Sequence, residues 1–495
     1  HASQAVSALR CPSMKSMAIA SIGKSRAMAT APATTTVVSA AGQMGGGLPI
    51  GFRKSRRQEN DTVLPSRRKR PPGQIWPIRT DAFCGCAGSA GALWLASSLK
   101  GCGFMTRDNG RTKGINTRLA HSGHDPHSFH GFVNPPVVHA STVLYPNAET
   151  MAARAQKYTY GTRGTPTTDA LCQAMDELEG SAGTIAVPSG LAAVTIPLLG
   201  FLSAGDHILI TDSVYYPTRH FADTMLERLG VEVAYYEPRI GAGIAALIKP
   251  NTKVVFTESP ASNTFEIQDI PAIAKAAHAA GAIVMMDNTW ATPLYFKALD
   301  FGVDVTIHAA TKYPAGHSDV LSGTVSANAA CWPKLREAFF TLGCCAGPDD
   351  VYQVLRGLRT MGVRLAHHER SALEIARWLE GQPGVAQVLH PGLESHADHA
   401  MWKRDFSGSS GIFSVVLAGG GTEKAHAFLD ALEIFGLGYS WGGFESLAVP
   451  VNLTDRRIAK GPYDGPIIRL QIGLEDVEDL KADITAGLAA ANAVA

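Results

Sequence analysis

The chain has 495 residues, 45% hydrophobic and 18% charged, with a formal net charge of +1. That composition fits a globular enzyme with a large core, and by length alone it has room for three domains. Residues 1–100 hold 14 of the 44 Lys/Arg and 3 of the 43 Asp/Glu, so the rest of the chain is net acidic and has no electrostatic reason to bind nucleic acid or an anionic membrane.

Residues 1–104 carry no sustained helical or strand periodicity. They contain ATAPATTTVVSAA, three consecutive glycines at 45–47, and the basic clusters FRKSRR and SRRKRPP. Arg-rich, Ser-rich and acid-poor sequence has the character of an organelle transit peptide. RRKR also reads as a nuclear signal. A third reading is translated upstream sequence, with the start at Met105. On each reading this basic extension is expected to be disordered and dispensable. The apolar run from Ala82 to Leu99 is interrupted by glycines and too weak for a transmembrane helix. The eight cysteines lack metal-ligand spacing and fit a reducing compartment, so a cytoplasmic location is expected, or an organellar one if the extension is a transit segment.

From Gly180 the pattern becomes regular. GTIAVPSG, DHILITD, VEVAYYE, TKVVFTES, AIVMMDN and DVTIHAAT are short apolar runs rich in β-branched residues. Helical stretches such as IPAIAKAAHAAG and the segment from Thr218 to Gly230 lie between them. Strands alternating with helices predict an α/β fold with a mostly parallel sheet, whose ligands bind beyond the C-terminal strand ends. The region 351–382 predicts one long helix ended by QPG, after which FSVVLAG, a helix from Lys424 to Leu432, and IIRLQIG suggest a smaller α+β domain.

Four features fall at predicted strand ends. Pro188-Ser189-Gly190-Leu191 opens a helix whose free amides favour a phosphate, although Ser189 is equally an ordinary N-cap. Tyr215 lies in a loop where packing is the plainer explanation. Asp287 closes AIVMMDN, where a buried carboxylate needs donors or a salt bridge. Lys312 closes the last strand of the series, where snorkelling to the surface is the plainer explanation. Together the four have one economical account. Pyridoxal phosphate (PLP) needs an anion site, a carboxylate for its pyridine nitrogen, a ring to stack on and a lysine to bind it covalently. Thr311 offers the phosphate a hydroxyl. The competing reading is a metal site at His308, His317 and Asp319.

These residues sit within a longer pattern. YGTRGTPT, PSGLAAV, TESPAS, MDNTWATPLYFKALDFGVD, AATKYPAGHSD, RGLRTMGVRL, WKRDFSGSSG, YSWGGFESL and IIRLQIGLED are spread between Arg118 and Leu488. In these stretches the chain resembles the Cys/Met-metabolism family of fold-type I PLP enzymes. The resemblance implies that Lys312 binds the cofactor covalently and that Asp287 pairs with its ring nitrogen. It implies that Tyr215 stacks on the ring and assists proton transfer, while Gly190, Leu191 and Thr311 hold the phosphate. Arg469 and Ser440 would meet the substrate carboxylate, and no metal is implied. Tyr160 would reach a neighbouring subunit's phosphate. The family's Arg two residues on is Thr162 here, with Arg163 next, and Ala309 replaces a phosphate-binding Ser.

The resemblance further implies an arm at 105–165 contacting a neighbouring subunit, a PLP-binding large domain at 166–358 and a small domain at 359–495, assembled as a homotetramer. Ser262, Ala309 and Tyr439-Ser440-Trp441 follow the β-lyase branch. The implied activity is cleavage of L-cystathionine to homocysteine, pyruvate and ammonia. The alternatives are a γ-lyase, a cysteine desulfhydrase-like enzyme and, remotely, a non-catalytic PLP-binding regulator.

Overall fold

Short β-branched runs build the sheet that organises the molecule. The computed structural model describes residues 113–494, so the extension at 1–104 lies outside the described residues. Seven strands form one sheet: β1 (Gly183–Val187), β2 (His207–Thr211), β3 (Glu232–Tyr236), β4 (Thr252–Glu258), β5 (Ile283–Asp287), β6 (Val305–His308) and β7 (Gly323–Ala327), in the order β1-β7-β6-β5-β4-β2-β3. Every neighbouring pair is parallel except the two made by β7, which runs against both β1 and β6. The expected mostly parallel sheet is therefore present. The antiparallel β7 lies outside the alternating pattern, because its small residues GTVSA carry little strand signal.

Helices cover both faces, which explains why β1, β2 and β7 are buried at every position. Alternate residues divide between two cores. Ile208, Ile210, Phe256 and Met285 pack with the helix Gly190–Phe201, whereas Leu209, Val255, Val284 and Met286 pack with the helix Ile270–Ala279. The expected helix at 218–230 is a run beginning at Tyr216, with a π turn at Ala222–Leu226.

The second sheet contains β8 (Val385–Leu389), β9 (Ile412–Leu417), β10 (Gly436–Leu437), β11 (Leu447–Val451) and β12 (Ile467–Gln471), in the order β10-β11-β12-β9-β8. All its pairings are antiparallel except β10 with β11. The helix Pro348–Leu379 serves both halves. Val351, Leu358 and Leu365 pack into the core beneath the turn that follows β6, while Ala372, Ile375 and Leu379 pack under the second sheet. Among the described residues no helix is long and apolar enough to cross a membrane.

That long helix fixes the turn after β6. Arg364 donates to the carbonyl of Tyr313 at 2.8 Å and to that of Gly357 at 2.8 Å, and Tyr313 is fully buried. A Cβ at Gly357 would lie 2.2 Å from the Pro314 carbonyl oxygen and 2.3 Å from that of Ala315. Backbone cannot yield there as a flexible side chain would. Gly357→Ala is expected to destabilise the protein by about 1–3 kcal/mol despite the better helix former. A fall in the thermal unfolding midpoint, followed by circular dichroism, checks this.

Candidate active site

The C-terminal ends of the parallel strands open into a cavity of about 240 Å³. Gly190, Leu191, Tyr215, Asp287, Thr311, Lys312 and Arg469 all line it. Ser440 joins them through a hydrogen bond from Lys312 Nζ at 3.0 Å. Lys312 differs from its expected placement. β6 ends at His308, and the lysine stands four residues later in a turn held by its own amide on the Ala309 carbonyl at 3.0 Å. The intervening residues turn the chain so that the amine faces the cavity and the Trp441 ring, 5.3 Å away.

The cavity sets the charge state of these groups. Burial, then the Arg469 guanidinium, lowers the Lys312 amine from its usual 10.5 to about 8, opposed by Asp287. Burial also lowers Arg469 to about 10. Asp287 forms no ion pair among the described residues. Its Oδ1 accepts from the Thr289 amide at 3.0 Å and the Thr289 hydroxyl at 2.5 Å, yet burial still raises its carboxyl above the usual range. Thr289 is itself fixed by accepting the Ala309 amide at 2.9 Å. A desolvated carboxylate held by one backbone and one side-chain donor, with no cation, suits a cationic heterocycle.

The other walls fit a phosphorylated ring. Ser189 caps the helix Gly190–Phe201 by accepting the Ala192 amide at 3.1 Å, which leaves the amides of Gly190 and Leu191 at the cavity. A Cβ on Gly190 would stand 2.5 Å from the Ala309 Cβ, so glycine and alanine together allow this close approach. Thr311 also lines the cavity, but its hydroxyl donates to the Ser322 carbonyl at 3.2 Å and accepts the Ser322 amide at 3.1 Å. It therefore meets a phosphate only by turning its proton away from that carbonyl. Arg469 donates from Nη1 to Asn263 Oδ1 at 3.1 Å and from Nη2 to the Tyr439 carbonyl at 2.9 Å, which aims the guanidinium into the cavity.

Two predicted residues lie elsewhere. Tyr160 and Arg163 line a second cavity of about 420 Å³. Arg163 stacks over the Phe340 ring at 4.3 Å, and Tyr160 Oη accepts from Ser141 at 3.2 Å. The residues of the metal alternative have other partners. His308 Nε2 pairs with the buried Glu179, His317 Nδ1 faces the Ala315 carbonyl, and no group of three or more potential metal ligands occurs among the described residues. Sequence reasoning missed Glu258, Asn263 and Thr289. Glu258 carried the same signal as Asp287, an acid closing an apolar strand. Asn263 and Thr289 had none, since their roles come from long-range contacts.

The sequence model of the Cys/Met metabolism PLP-dependent enzymes matches residues 116–489. The chain is 71% identical over 385 residues to a putative cystathionine beta-lyase of Rhizobium johnstonii, covering 77% of this chain and 97% of the relative. It is 45% identical over 390 residues to the cystathionine beta-lyase MetC of Escherichia coli, covering 76% and 98%. Among solved structures, a cystathionine gamma synthase from Xanthomonas oryzae pv. oryzae superposes with a TM-score of 0.73 at 33% identity, covering 78% of this chain and all of that one.

The electrostatics make a testable statement. In protein stripped of small molecules, the Lys312 amine is expected to titrate near pH about 8. Arg469→Met removes a cation that opposes protonation, so it should move that midpoint upward. The pH dependence of amine-selective labelling at Lys312, read by mass spectrometry, checks both.

Proposed function

The chain belongs to the Cys/Met metabolism PLP-dependent enzyme family, and from that premise we propose that it is a carbon–sulfur β-lyase cleaving L-cystathionine to homocysteine, pyruvate and ammonia. Its architecture is fold type I. The observation that carries the reading is the Lys312 amine. Its pKa is lowered to about 8, and it sits in one cavity with Asp287 and Arg469 beside Ser440 and Trp441.

Bound PLP supplies an electron sink for negative charge developing at the substrate Cα. The remaining tasks fall to side chains. Gly190, Leu191 and Thr311 would hold the phosphate, and Asp287 would keep a proton on the ring nitrogen. Tyr215, at the cavity wall, would stack on the ring. Arg469, aimed by Asn263 and the Tyr439 carbonyl, takes the substrate carboxylate as a bidentate pair. Lys312, neutral in an appreciable fraction near pH 8, removes the Cα proton while Ser440 orients its amine. The Cβ–S bond breaks, and Lys312 or Tyr215 protonates the departing sulfur. Water then releases ammonia and pyruvate.

Tyr160 and Arg163 stand outside the Lys312 cavity of their own chain, which supports their acting at a neighbouring subunit's phosphate. The protein is accordingly read as a dimer at least, and as a homotetramer of paired dimers. An arm at 105–165, a large domain at 166–358, a small domain at 359–495 and a cytoplasmic location belong to the same proposal.

Ser262, Ala309 and Trp441 favour β- over γ-elimination. Purified protein given L-cystathionine should yield pyruvate and homocysteine. 2-Oxobutyrate and cysteine would instead assign it to the γ-lyases. Lys312→Ala should lower turnover by about 10³-fold or more, and an unimpaired variant would remove the lysine from the mechanism.

A further inference from the structure

One acid in the cavity has no task in this mechanism. Glu258 closes β4 directly beside Asp287 of β5, the two being register partners in the parallel ladder, and its side chain lines the Lys312 cavity. Its Oε2 accepts the backbone amide of Tyr215 at 2.8 Å. The loop carrying Tyr215 has one further tie to the same wall, the Ser262 amide donating to the Ser213 carbonyl at 3.1 Å. Tyr215 immediately precedes the short helix Tyr216–Phe221, and no side chain caps that helix.

We propose that Glu258 is a positioning residue for Tyr215, its carboxyl group fastening the main chain that holds the tyrosine ring at the cavity. The proposal rests on the reading of Tyr215 as the residue that faces the cofactor ring. A side-chain acceptor at the end of a central strand is a firm anchor, because its own main chain is held in register with Asp287 of β5. The Tyr215 loop has no such ladder. Without the carboxyl group, the amide turns to water and the ring loses its fixed direction.

The neighbouring acid decides the form in which Glu258 does this. Two carboxyl groups side by side in a desolvated cavity cannot both remain ionised at little cost. Asp287 receives two hydrogen bonds from Thr289, whereas Glu258 receives one, which makes Glu258 the more readily protonated of the two. Burial and the nearby Asp287 raise the Glu258 carboxyl well above the usual range, in agreement. A neutral carboxylic acid still accepts through its carbonyl oxygen, as the side-chain amide of glutamine does. A proton held by Glu258 leaves the negative charge of the pair on Asp287.

The comparison of Glu258→Ala with Glu258→Gln in the full-length holoenzyme tests this. Amide exchange over residues 212–216, followed by mass spectrometry, reads the tether directly. The visible circular dichroism of the cofactor band reads the setting of the ring. For E258A, exchange at Tyr215 should accelerate about tenfold and the dichroic band should change, with kcat falling about tenfold and KM moving less. E258Q should recover most of all three. Unaltered exchange in E258A overturns the proposal, as does faster exchange with unchanged kcat. E258Q as defective as E258A overturns it too, because charge and not an acceptor would then be needed. Should E258A fail to fold, loss of protection in E258Q alone is decisive against it. Failure of the wild type to cleave L-cystathionine would reject the function proposed above while leaving the exchange measurement intact.

Discussion

Two cationic side chains share one desolvated cavity, and the structure depends on keeping only one of them fully charged. Arg469 cannot give up its proton near neutral pH, so the burden falls on Lys312, whose amine becomes available as a base. Around this pair the sheet supplies acids from its central strands, Glu258 from β4 and Asp287 from β5, and the second sheet supplies the guanidinium from β12. Neither half of the molecule has a complete site without the other.

The sheet's connectivity explains why so many site residues sit at one edge. Where strands run parallel, their C-terminal ends lie together, and the loops leaving β1, β2, β5 and β6 open on the same side. β7 enters the sheet in the opposite sense, and its first residue lies close under the start of the helix Gly190–Phe201. A Cβ on Gly323 would stand 2.5 Å from the Ser189 carbonyl oxygen, so the chain can pass beneath the helix start only as glycine. The N-terminal end of that helix is thus seated on the strand that breaks the parallel pattern.

Much of this was legible in the sequence. Six strands of the large sheet, the long helix and the residues Gly190, Leu191, Tyr215, Asp287, Thr311, Lys312, Ser440 and Arg469 follow from period, from position at strand ends and from resemblance. What was not legible has physical reasons. β7 and β8 are short runs of small or mixed residues whose identity as strands comes from their neighbours. β11 carries Pro450, which argues against a strand interior. It is tolerated because β10 pairs only with Leu447 and Ala448 and leaves the far end of β11 an edge. Asn263 acts through Arg469, more than two hundred residues away in the chain, a partnership that local pattern cannot announce.

The helix Pro348–Leu379 spans 32 residues, about 48 Å, and contributes its two halves to two different cores. It therefore acts as a shared keel and not as a linker. Neither sheet can shed its covering without exposing the other's apolar face, so partial melting of one half is penalised by both. The same geometry restricts exchange between relatives. A recombination point inside residues 348–379 would part the segment that serves one core from the segment that serves the other, whereas one before the helix would carry the keel and the second sheet across together.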